Sequence, residues 1–98
     1  MTEQLIGKLV TQNGQTFFLD KKVTVGRSSS NVLQLDDSQT SRHHTRFYAH
    51  QGRYWVYDEG SANGTLVNNM PVEEDSGYML KDGDVLTLGE TLLLFRAG

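Results

Sequence analysis

Apolar and polar residues alternate with a period of two along most of this chain. Leu5, Gly7 and Leu9 interleave with Ile6, Lys8 and Val10. Thr45, Phe47 and Ala49 interleave with Arg46, Tyr48 and His50, and Tyr54 and Val56 with Trp55 and Tyr57. The segments Thr16–Leu19, Val23–Val25, Leu33–Leu35, Thr65–Val67, Met79–Leu80, Val85–Leu88 and Thr91–Arg96 are short and mostly apolar or β-branched. Period-two alternation sends successive side chains to opposite faces of a strand, so each segment reads as one. Turn-forming pairs fall between them: Asn13-Gly14, Asp20-Lys21, Gln51-Gly52, Asn63-Gly64, Asn68-Asn69, Asp82-Gly83 and Gly89-Glu90. Strand starts recur at roughly ten-residue spacing, which predicts an all-β sandwich or barrel. No stretch carries a 3.6-residue apolar stripe; a short helical turn around Glu73–Ser76 is the one helical expectation.

Length changes this picture little. A chain of 98 residues holds one core, so residues 1–98 are expected to form a single domain. With no cysteine, a disulfide framework, a thiolate zinc site and a cysteine nucleophile are excluded. Even Leu92–Phe95 falls far short of the ~20 apolar residues that span a membrane, so no membrane insertion is expected. With Thr2 and Glu3 directly after Met1, no signal peptide is expected to begin here. These features predict a cytoplasmic setting.

Charge is more informative. The net charge of −3 argues against nucleic acid as partner. Yet residues 41–53 hold Arg42, Arg46, Arg53, His43, His44 and His50 and no acid, whereas eight acids lie in residues 54–98. An acidic chain therefore carries a local basic stretch suited to an anion.

Three inter-strand regions are richer in polar groups than tight hairpins require: Gly26–Asn31, Asp36–His44 and Gly60–Gly64. Alternate loops of an antiparallel sandwich gather at one end. Together these offer Arg27, Arg42, Ser28, Ser41, Ser61, Asn63 and glycine-freed backbone N–H groups, the donors that hold a phosphate. Their order is also distinctive. Gly26-Arg27, Ser41-x-x-His44 and Ser61-x-Asn63-Gly64-Thr65, followed by Leu80-x-Asp82-Gly83-Asp84-x-Leu86-x-Leu88-Gly89, resemble the signature of the forkhead-associated (FHA) domain. The resemblance runs from about Lys8 to Phe95.

The resemblance implies an eleven-stranded antiparallel β-sandwich with recognition loops at one end, a phosphothreonine peptide as ligand, no catalysis and no cofactor. It implies that Arg27 contacts the phosphate and the peptide backbone, that Ser41 donates to the phosphate, and that Arg42 and Ser28 stand beside them. Asn63 is expected on the peptide backbone, with Ser61 next to it. Gly26, His44 and Gly64 are expected to support the site rather than touch ligand. Domains of this family usually belong to larger proteins or complexes. One departure stands out: Ala62 occupies a position where some relatives carry a hydroxyl.

Other readings are weaker. Ser41 and His44 lie three residues apart with no third orienting acid evident, which disfavours a nucleophile–base pair. His43, His44 and His50 lack a nearby acidic ligand, so no metal is expected. Trp55 and Tyr57 share a strand face with Arg53 and read as packing rather than a stacking platform. The serious rival is the same fold used as a phosphate-independent interaction or oligomerisation module.

Overall fold

Strands this short bury one face each only by stacking two sheets, and that is the arrangement found. The computed structural model describes residues 7–20, 22–73 and 76–97. Among them, eleven strands and no helix are present: β1 (Gly7–Thr11), β2 (Thr16–Phe18), β3 (Val23–Gly26), β4 (Leu33–Gln34), β5 (Thr45–His50), β6 (Arg53–Asp58), β7 (Thr65–Val67), β8 (Met70–Pro71), β9 (Tyr78–Met79), β10 (Val85–Leu88) and β11 (Thr91–Ala97). One sheet has the order β2-β1-β11-β10-β7-β8 and the other β4-β3-β5-β6-β9. The helical turn expected around Glu73–Ser76 includes residues 74 and 75, which lie outside the described residues.

The alternation translates directly into layers. Leu9, Leu86, Leu88, Leu93 and Phe95 point inward from the first sheet and Val25, Phe47 and Val56 from the second, all completely buried. Arg46, Tyr48, Trp55 and Tyr57 are the alternate residues of β5 and β6 and face outward, half-buried.

Two features depart from the sequence expectation. β8 escapes detection because Met70 and Pro71 are exposed and too few to show a period. The β3–β4 pair is parallel, with Val25 opposite Leu33 and Gly26 opposite Gln34. The loop after Gly26 doubles back along the edge of β3, where Thr24 Oγ1 accepts the Val32 N–H at 3.0 Å.

Turn chemistry fixes register. Asn68 and Asn69 both take positive φ, 51° and 69°, which marks the tight hairpin between β7 and β8. Asn68 is further held: its Oδ1 accepts from Val85 N at 3.0 Å and its Nδ2 donates to Asp84 Oδ1 at 2.9 Å. Asn69 carries only the backbone requirement. We expect Asn69→Gly to leave the thermal midpoint equal or slightly higher, and Asn69→Val to cost about 1–2 kcal/mol, read by urea unfolding.

Candidate functional site

The loops following β3, β4 and β6 converge at one end of the sandwich, and hydrogen bonds stitch each to the next. Between the first two, Arg27 N donates to Ser41 O at 2.9 Å and Ser28 N to Arg42 O at 3.1 Å. The buried Asn31 side chain adds two bonds from Nδ2, to Ser28 O at 2.9 Å and Arg42 O at 2.7 Å. This contact is so close that a Cβ on Gly26 would lie 2.2 Å from Arg42 O. Gly26 is therefore required for space, its φ being unremarkable.

Between the second and third loops, His44 is the tie. It is fully buried. Its Nδ1 accepts from Ser41 N at 3.0 Å, which leaves the ring hydrogen on Nε2 to be donated to Gly64 O at 2.8 Å. Both nitrogens are thus committed to one neutral tautomer. That arrangement ties the second loop to the third and leaves neither ring nitrogen free. It also faces the Ser41 backbone rather than its hydroxyl, so His44 is not placed as a base for Ser41. His43 and His50 flank opposite ends of β5, too divided to share a metal.

Asp58 anchors the third loop from beneath. Its buried carboxylate accepts from Gly60 N and Ser61 N at 3.0 Å each, from Ser61 Oγ at 2.6 Å and from Thr65 Oγ1 at 2.8 Å. Because Thr65 gives its hydrogen to Asp58, Thr45 must be the donor in the 2.7 Å Thr45–Thr65 hydroxyl pair. Burial pushes the Asp58 carboxyl up, but donors from Ser61 and Thr65 outweigh it and hold it below its usual range. Ser61 was expected among the ligand contacts. Its one hydroxyl hydrogen is held by Asp58 and its oxygen accepts Gly64 N at 2.9 Å, so its observed work is inside the loop. Gly64 follows with φ 82°, and Asn63 is not in the left-handed region, so Asn63-Gly64 is not a two-residue hairpin turn.

The expected ligand residues stand around this frame. Arg27 is exposed, with Nε donating to Thr40 O at 3.1 Å. That single bond orients the guanidinium and leaves the four N–H hydrogens of its terminal groups to offer. Ser41 Oγ accepts the Ala62 N–H at 2.9 Å, which positions its own hydrogen to donate. The Asn63 amide donates through Nδ2 to Gln39 O at 2.8 Å, leaving Oδ1 as an acceptor. Ser28 is half-buried, its hydroxyl 3.0 Å from that of Ser30. Arg42 is exposed beside them.

Several supporting residues were missed. Gln39 and Thr40 act through backbone carbonyls, which leave no trace in a sequence. Asp58 had a local signal, an Asp three residues before a Ser at a strand end. Asp37 bonds across the fold: its carboxylate takes Gln39 N at 2.9 Å, Glu90 N at 2.8 Å and Thr91 Oγ1 at 2.7 Å. Burial opposes its charge, yet the donors from Thr91, Gln39 and Glu90 prevail and hold its pKa at about 2.

Both lowered carboxylates bind more protons unfolded than folded. Their stabilisation is complete above the ordinary carboxylate range and is lost as pH falls below it, for Asp37 through about 2. Urea unfolding across pH should therefore give a plateau at neutral pH and a decline between about 4 and 2. Asp37→Asn should lower the plateau by about 1.5–3 kcal/mol and flatten the decline.

Comparison with known proteins agrees with this geometry. The family model described as FHA domain matches residues 23–89. The oxoglutarate dehydrogenase inhibitor of Corynebacterium efficiens is 37% identical over 95 residues, covering 96% of this chain and 65% of that protein. The glycogen accumulation regulator GarA of Mycolicibacterium smegmatis is also 37% identical over 95 residues, covering 96% of this chain and 58% of its own length. The chain thus spans less than two-thirds of these relatives. A solved structure described for phosphothreonine-dependent FHA domain interactions superposes with a TM-score of 0.87 at 30% identity, covering 95% of this chain and 97% of the other. With its Arg27, Ser41 and Asn63 loops stitched at one end of an eleven-stranded sandwich, the chain belongs to the FHA domain family.

Proposed function

We propose that residues 1–98 act as one phosphothreonine-dependent docking domain, holding the phosphate through Arg27 and Ser41 and the peptide backbone through Asn63. The observation that carries this reading is the state of the donors. Arg27 and Ser41 are each oriented by one bond, to Thr40 O and from Ala62 N, while retaining hydrogens for a ligand. The two carboxylates beneath the loops are engaged by internal donors, four on Asp58 and three on Asp37. They therefore hold the loops in place, and Arg27 bonds to Thr40 O rather than to either carboxylate.

A phosphothreonine carries about −1.5 to −2 charge at pH 7. Each charge-assisted bond contributes about 1.5–3 kcal/mol, offset by the cost of ordering the peptide and desolvating the phosphate. A micromolar dissociation constant, about −8 kcal/mol, is the scale expected. Arg42 and Ser28 add donors at the rim. Ala62 offers none, its backbone N–H being used by Ser41. Docking of this kind needs no cofactor and no catalysis. It fits regulated assembly in the cytoplasm, with the domain acting inside a larger protein or complex.

The test is an anisotropy titration of degenerate peptides in phosphothreonine, phosphoserine, phosphotyrosine and unmodified forms. Preference for phosphothreonine, weakened by salt, is expected; equal binding of the unmodified set would refute the proposal. Arg27→Ala should abolish phosphopeptide binding, at least 100-fold by the loss of about 3 kcal/mol. Its melting temperature should move by no more than a few degrees, since one exposed-side bond is lost. A fully binding variant would overturn the assignment of Arg27.

A further inference from the structure

The outward face of the β3-β5-β6-β9 sheet has a composition that the loops do not explain. Strand register places Arg46 opposite Tyr57, Tyr48 opposite Trp55, and His50 opposite Arg53. Arg46 lies over both tyrosine rings, 4.6 Å from the Tyr57 centroid and 5.4 Å from that of Tyr48. The two rings meet edge to face at 5.8 Å. Lys22 Nζ stands 5.8 Å from the Tyr48 centroid. Beside this cluster, Tyr48, Ala49, His50, Trp55 and Tyr57 line a groove of about 390 Å³.

Tyrosine, tryptophan and arginine are the residues enriched at the energetic centres of protein interfaces. Here the tyrosines are already ordered by each other and by Arg46, so little side-chain freedom remains to be lost on binding. The outward-facing charges on β5 and β6 themselves are all basic. Lys22, His50 and Arg53 are exposed, and no outward-facing position on β5 or β6 carries an acid. Glu59, at the edge of the face, is bound to Arg46 at 3.0 Å. Among the described residues neither Lys22 nor Arg53 has an ion pair within 4.0 Å. His50 and Arg53 sit directly across the ladder, which puts an imidazole beside the Arg53 guanidinium at the end of this face. In a chain of net charge −3, these cations mark a surface complementary to acid.

We propose that this face is a second docking surface, for an acidic segment of a partner protein that sets an apolar or aromatic side chain against Trp55 and carboxylates on Lys22 and Arg53. It is built from the sheet, not from the phosphate loops, and stands whether or not the loops bind phosphothreonine. Protein is favoured over nucleic acid because two unpaired cations are too few to hold a polyphosphate backbone.

Trp55 is the sole tryptophan, so its fluorescence reads this face directly. The probes are a synthetic peptide of alternating Glu and Phe, its Lys–Phe counterpart, and oligothymidylate. The Glu–Phe peptide is expected to give a saturable emission change that survives Arg27→Ala and excess phosphothreonine peptide. The charge reversals Lys22→Glu and Arg53→Glu together should weaken it at least tenfold. Amide shift mapping of the unaltered chain provides a readout without substitution, with changes expected at Tyr48, Trp55 and Tyr57. Absence of saturation, equal binding of the Lys–Phe peptide or of oligothymidylate, indifference to charge reversal, or shifts confined to the loops after β3, β4 and β6 would each overturn the proposal.

Discussion

The carboxylate of Asp58 is the constraint on which the recognition end depends. A buried negative charge is tolerated only when it is well supplied with donors. Four donors from Gly60, Ser61 and Thr65 supply it, and they can do so only if the loop after β6 takes one path. That path aims Ala62 N at Ser41 Oγ and Gly64 O at His44 Nε2. His44 in turn holds Ser41 N, and the Ser41 carbonyl receives Arg27 N. The positions of Arg27 and Ser41 thus follow from satisfying polar groups within the loops themselves.

The same logic recurs with Asp37, which joins the middle loop to the β10–β11 turn through Glu90 N and Thr91 Oγ1. Two acids sit under the loops proposed to hold a phosphate. Hydrogen-bond donors already compensate each of these two charges, and the exposed side chains nearby include Arg27, Arg42 and His43. A protein of net charge −3 can therefore present a local cationic surface without a large basic patch.

The sandwich divides its labour by face and by end. Its interior is apolar along most of its length and becomes polar at Thr45, Thr65 and Asp58, just below the loops. The outer aromatic face of β5 and β6 uses the complementary set of the same alternation, so one stretch of sequence supplies core, loop support and a separate surface. Trp55 and Tyr57 do pack, as their half-burial shows, but they pack beside a groove rather than against a second layer.

How much of this was legible in the chain follows from the range of the interactions involved. Period two and the turn pairs are local, so most strands and the inward residues such as Phe47, Val56, Leu86 and Leu88 could be read directly. β8 and the parallel β3–β4 pair could not, because two-residue strands have no period and direction is set by where a loop returns. The ordered Gly26-Arg27, Ser41-x-x-His44 and Ser61-x-Asn63 motifs named the residues of the candidate site. Only the tertiary structure decided their atoms: that Gly26 is needed for the approach of Arg42 O, that the Ser61 hydroxyl serves Asp58, and that Gln39 and Thr40 steady Asn63 and Arg27 through carbonyls. Backbone donors and acceptors are the same in every residue, so which of them meet across a fold is settled by geometry and carries no mark in the sequence.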